Sequence, residues 1–159
     1  TATTEIYTLS LHDALPICLF PTLIVFSSPT NNEIFYLIFG VLVYLVGLVT
    51  EIIADYQKTI HNRLNNKKRE FISSGLWSMS RHPNYFGEFL IWTGITIICF
   101  PVFSGFKYLA FITPIFIYFL LNYISGVNLL EERAKEKWGK DPEYVKYLKT
   151  TPKFFPKIF

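Results

Sequence analysis

The chain has 159 residues, of which 51% are hydrophobic and 18% aromatic against 17% charged, with a net charge of +3. The apolar residues fall in unbroken blocks rather than in helical or alternating stripes, which excludes an ordinary water-soluble fold and points to membrane spans in one domain. Two cysteines, Cys18 and Cys99, exclude a disulfide framework and a cysteine metal site.

Residues 1–17 read as something other than native protein. They match, residue for residue, one reading frame of a common sequencing-adapter oligonucleotide, and are set aside as a fusion scar would be. His12 and Asp13 leave with them, and the remainder carries about +5. The expectation is therefore a C-terminal fragment, residues 18–159. Cys18–Phe26 is apolar but too short to span, and Ser27–Asn32 is a loop around Pro29.

The first span is expected over about 34–54, interrupted only by Gly40, Gly47, Thr50 and Glu51. About twenty residues cover about 30 Å at 1.5 Å per residue. Gly40 and Gly47 leave room for a close helix neighbour. Glu51 and Asp55 lie four apart on one face at its end, where like charges repel and a helix C-terminus disfavours carboxylates. A cationic or hydrogen-bond-donating group is expected to face them. Lys58 follows within a turn, and His61–Glu70 reads as a basic connector containing Arg63.

Next comes the densest polar run, Arg81–Glu88, reading Arg-His-Pro-Asn-Tyr-Phe-Gly-Glu at the mouth of an apolar stretch. Such groups beside a bilayer are expensive unless they bind something, so the run reads as a cofactor-binding corner; the alternative is a polar juxtamembrane turn. Pro83 lacks a backbone donor and suits the first turn of a helix, with His82 biased towards extended backbone. A helix entrance there offers free N–H groups to an anion, and Arg81 and His82 add to the attraction. Asn84 and Glu88 share one helix face and offer the donor and acceptor groups an amide or ribose would use.

Further spans are expected over about 86–103 and 107–124, the last bent by Pro114. An amphipathic helix from Leu129 to Trp138 carries Glu131, Glu132 and Arg133, which could dock beside the corner. For any one of them a solvated pair such as Glu131 with Lys135 is the plainer expectation. A short helix near Glu143–Lys149 and an extended anchoring tail close the chain. Trp77, Trp92 and Trp138 read as interface-belt residues, and Thr93 and Thr96 as bonded to their own helix. The expected fold is thus all-α, a polytopic transmembrane bundle with a C-terminal amphipathic helix. Lysine and arginine gather in the 56–81 connector and the 131–157 tail, which places both in the cytoplasm. No nucleophile–base pair, metal spacing, glycine-rich phosphate loop or nucleic-acid-reading pattern is present.

The segments Glu51…Asp55…Gln57-Lys58, Gly75-Leu76-Trp77…Ser80–Glu88…Trp92, Ser125-Gly126…Glu131 and Tyr144…Tyr147…Thr151-Pro152…Pro156 resemble the steroid 5-alpha-reductase-like membrane family, above all its bacterial branch. The resemblance implies a helical membrane reductase that holds NADPH on its cytoplasmic side and reduces a conjugated carbon–carbon double bond in a lipid or steroid-like substrate. By position, Asp55, Asn84 and Glu88 match cofactor contacts; the family's substrate-facing tyrosine and glutamate lie further upstream, so no catalytic residue is assigned. Lys58, Arg63, Arg81, His82, Tyr85, Glu131 and Arg133 complete the expected cofactor set, with no metal. The corner is also similar to isoprenylcysteine carboxyl and phospholipid methyltransferases, whose Arg-His-Pro-x-Tyr-x-Gly and paired glutamates correspond to Arg81, His82, Pro83, Tyr85, Gly87, Glu131 and Glu132. That likeness implies S-adenosylmethionine instead of NADPH. A non-catalytic lipid-binding protein is the remaining alternative, and membrane lipids are partners under every reading.

Overall fold

A computed structural model describes residues 19–24, 33–65, 70–124 and 127–157, and every regular element among them is helical. Residues 1–17, with the adapter-like stretch, Cys18 and the expected Ser27–Asn32 loop lie outside the described residues. Helix α1 runs Ile34–Asn65, α2 Pro83–Cys99, α3 Ile112–Phe119, α4 Val127–Trp138 and α5 Pro142–Thr150. Three helical stretches, Ile34–Leu64, Pro83–Val102 and Gly105–Trp138, are long and apolar enough to cross a membrane.

Helix α1 is longer than its apolar block requires. Its 32 residues reach about 48 Å at 1.5 Å per residue, against about 30 Å of bilayer hydrocarbon. The expected connector therefore starts later than its composition implies, because Tyr56–Asn65 contains neither glycine nor proline and continues the helix. That extension carries Lys58, His61 and Asn62 beyond the apolar part.

Helices α1 and α2 pack antiparallel through paired glycines. A Cβ added to Gly47 would lie 2.6 Å from the Gly87 carbonyl oxygen, and one added to Gly94 would lie 2.7 Å from that of Gly40. Each helix spaces its glycines seven apart, so both pairs meet at one seam and the backbones close where any side chain would hold them off. Away from this seam α1 exposes Leu37, Ile38, Leu42, Leu45 and Val49, the surface a hydrocarbon solvent favours.

The third stretch changes helix type along its length. A 3₁₀ segment at Gly105–Phe111 gives way to α3, and a π-turn follows at Leu120–Ile124. Pro114 sits just inside α3, three residues after the last 3₁₀ residue Phe111, and proline cannot donate to the carbonyl four residues back. Ile117, Leu120 and Leu121 form the main core with Phe154 from the tail. A second cluster joins Ile24, Cys99, Phe103 and Ala110 at the other end of α2. Thr93 and Thr96 donate to Phe89 O at 2.7 Å and Trp92 O at 2.9 Å, within their own helix as expected.

Candidate functional site

The corner is built by three pieces that converge on Gly75–His82. From α1, the Ala54 carbonyl accepts the Trp77 indole N–H at 3.0 Å and Gln57 Oε1 accepts Leu76 N–H at 3.0 Å. Gly75 has φ +62°, a conformation strained for other residues, and a Cβ there would lie 2.6 Å from the Gln57 amide, so the turn favours glycine. From α5, the Tyr147 hydroxyl donates to Trp77 O at 2.6 Å. From the tail, Pro152 O accepts Arg81 N–H at 2.9 Å, Phe154 O accepts the Ser80 hydroxyl at 2.8 Å, and Met79 O accepts Lys157 N–H at 2.9 Å. Trp77 is 5% exposed, so it is a buried clamp rather than the belt residue expected from its type. The anchoring tail does hold the corner.

Pro83 opens α2 with His82 as its N-cap, as the sequence requires. The side chains beneath this entrance meet Glu131 of α4. Arg81 NH1 donates to Glu131 Oε2 at 2.6 Å, and His82 Nε2 lies 3.0 Å from Oε1, with all three side chains at least 85% buried. The solvated Glu131–Lys135 pair does not form among the described residues, because α4 turns Glu131 inward to the two basic groups of the corner. Burial pushes the His82 imidazole below its ordinary value near 6.5, against the opposing pull of the Glu131 hydrogen bond and charge. Burial likewise holds the Tyr147 phenol above its ordinary range, so it remains a donor.

A cleft of about 220 Å³ opens beside this group. Lys58, Arg81, His82, Asn84, Tyr85 and Glu131 line it, together with His61, Asn62, Phe71, Trp77, Trp138 and Tyr147. Two of its polar atoms, Arg81 Nε and Asn84 Oδ1, are fully enclosed and have no hydrogen-bond partner. An enclosed donor and acceptor without a protein partner are costly unless water or a ligand reaches them. Arg81 and Glu131 also wall a second, more polar cleft of about 400 Å³ lined by Asn128, Glu132, Lys135 and Lys153.

Six of the ten expected cofactor residues thus meet at the first cleft, and four do not line it. Asp55, Arg63 and Arg133 are exposed elsewhere on their helices. Arg133 is two residues from Glu131, about 200° around α4, so the two cannot face one ligand from the same helix. Glu88 lies one turn deeper than Asn84, within electrostatic reach of Glu51 and Asp55. No cation forms an ion pair with Glu51 or Asp55 among the described residues, and the neighbouring charge is a third carboxylate, Glu88. The sequence reading missed His61 and Asn62, which follow Lys58 at the i+3 and i+4 spacing of one helix face. It also missed Phe71 and Tyr147, for which residue type gives no signal. No group of three metal-ligating side chains occurs among the described residues.

Two curated proteins match parts of this sequence. The chain is 28% identical over 140 residues to a probable 7-dehydrocholesterol reductase of Acanthamoeba polyphaga mimivirus, covering 74% of the chain and 29% of that protein. It is 37% identical over 57 residues to a probable O-methyltransferase, ustE, of Ustilaginoidea virens, covering 36% of the chain and 20% of that protein. The chain thus spans less than a third of the length of either relative. No solved structure matches it. A family model described as "Protein of unknown function (DUF1295)", related to the steroid 5-alpha-reductase-like proteins, matches residues 5–151, and the chain belongs to that family.

Proposed function

We propose that the protein is a membrane oxidoreductase that uses NADPH to reduce a conjugated carbon–carbon double bond in a lipid or sterol-like molecule. The observation that carries this reading is the cleft at the entrance of α2, where Arg81 Nε and Asn84 Oδ1 are enclosed without partners. A nicotinamide nucleotide offers what these atoms lack: phosphate or ribose oxygens for the guanidinium, and an amide or hydroxyl hydrogen for Asn84. Lys58, which lines the cleft, would add a second cation. The cleft is smaller than the 300–1,000 Å³ usual for whole ligands, so it suits one end of a dinucleotide rather than all of it. NADPH would supply the hydride; the corner residues bind, orient and shield from water, and the proton-donating group is not assigned. The reductase relative supports this reading by covering 74% of the chain.

A second reading, methyl transfer from S-adenosylmethionine to a membrane-embedded acceptor, is favoured by the methyltransferase match and by the Arg81–His82–Glu131 contact. Both readings put the cleft on the cytoplasmic face. Six charged residues in α4 bar it from the hydrocarbon, so α4 reads as the amphipathic surface helix and the crossing as ending before Asn128. Titration of the purified protein with each nucleotide separates the two readings. Saturable NADPH binding, weakened about tenfold by Asn84→Ala, is expected; binding of S-adenosylmethionine alone would replace the first reading with the second.

A further inference from the structure

One carboxylate in this structure serves two neighbours. Glu131 takes Arg81 NH1 at 2.6 Å on one oxygen and His82 Nε2 at 3.0 Å on the other. A carboxylate only accepts, so Nε2 carries a hydrogen, and in the neutral ring Nδ1 is left as a lone pair. The ring is held in this orientation. It stacks on Tyr85 at 5.7 Å with planes 10° apart, and the His82 backbone N–H donates to Ser80 Oγ at 3.2 Å. Nδ1 makes no hydrogen bond among the described residues and is not one of the fully enclosed unpaired atoms. Of the two clefts that Glu131 walls, His82 lines only the first. The charged groups facing the ring are Glu131 from α4, Arg81 beside it and Lys153 from the tail.

We infer that Glu131 is a positioning residue: it fixes His82 as the Nε2–H tautomer and so gives the cleft an acceptor, Nδ1, suited to a ligand N–H or O–H group such as a carboxamide or a ribose hydroxyl. Asn84 and Arg81 line the same cleft, but their unpaired Oδ1 and Nε are enclosed in the empty protein, so Nδ1 is the acceptor the inference concerns. The ligand class rests on the nucleotide reading above; the tautomer does not.

Glu131→Gln separates the tautomer from mere packing. If the amide oxygen stays with Arg81, the amide N–H₂ faces the ring, which then has to accept at Nε2 and carry its hydrogen on Nδ1. Two-bond ¹⁵N–¹H correlation spectra of the full chain, histidine-labelled in detergent micelles, read this directly, with the His82 signals assigned by their loss in His82→Gln. The expected result is Nε2–H in the wild type and Nδ1–H in Glu131→Gln. A wild-type ring protonated at Nδ1, or one unchanged by Glu131→Gln, overturns the inference. His82→Gln keeps a donor towards Glu131 while removing Nδ1. It should leave the unfolding temperature close to wild type and weaken binding of the nucleotide the wild type holds, NADPH or S-adenosylmethionine, about tenfold. Unweakened binding sinks the acceptor role. If neither nucleotide binds the wild type, the functional reading and the ligand class fail together, and the spectra alone decide the positioning role.

Discussion

Arg81 and His82 are neighbours in the chain, yet the carboxylate that joins their side chains is about fifty residues away. The corner stood out in the sequence because a guanidinium, an imidazole and an amide stand together directly before an apolar helix. Their partner was not legible: Glu131 has Glu132 beside it and Lys135 one turn on, and nothing in that pattern says which carboxylate turns inward. The buried imidazole has a consequence in pH. Its folded pKa lies below 6.5, so as pH falls the unfolded chain takes the proton first. Stability from this group is therefore complete above about pH 6.5 and declines as pH falls below it. Thermal unfolding in detergent between about pH 7.5 and pH 5.5 should show that decline. The same scan on His82→Gln should show a shallower one.

At the scale of elements, the spans could be read from length and apolarity, and the corner helix from its proline. The length of α1 could not, since charged and polar residues end a membrane span without ending a helix. The α1–α2 seam was half legible: Gly40 and Gly47 announced a close approach, but their partners Gly87 and Gly94 emerge only once the helices run antiparallel. Gly47→Val is expected to destabilise the helix pair by about 1–3 kcal/mol through steric conflict with the α2 backbone, measurable as a lower unfolding temperature. The tail makes a different prediction. Phe154 is 4% exposed in the main core and its backbone accepts from Ser80, whereas Phe155 is 54% exposed. Phe154→Ala should cost about 3–5 kcal/mol and loosen the corner, while Phe155→Ala should stay near wild type.

For the whole molecule, the distribution of lysine and arginine gives an orientation that can be checked by labelling. Single cysteines placed at Ser104, in the turn between the second and third apolar stretches, and at Lys135, on exposed α4, should react with a membrane-impermeant maleimide from opposite sides of sealed vesicles. Reaction of Lys135→Cys on the outside of intact cells would reverse the proposed orientation. The all-helical architecture was readable because blocks of apolar residues leave the bilayer few alternatives. The cleft was not, because it is made by side chains from four separate segments whose meeting depends on tertiary packing.

The tail's grip on the corner sets an order of events during synthesis. Helices α1 and α2 can pair as soon as Cys99 has left the ribosome, since their seam is complete by then. The corner cannot: its fastenings arrive with Glu131, Tyr147, Pro152, Phe154 and Lys157, in that order. Within these residues, translation thus completes the α1–α2 hairpin before any fastening of the corner, so the helix pair can form while the proposed site is still open.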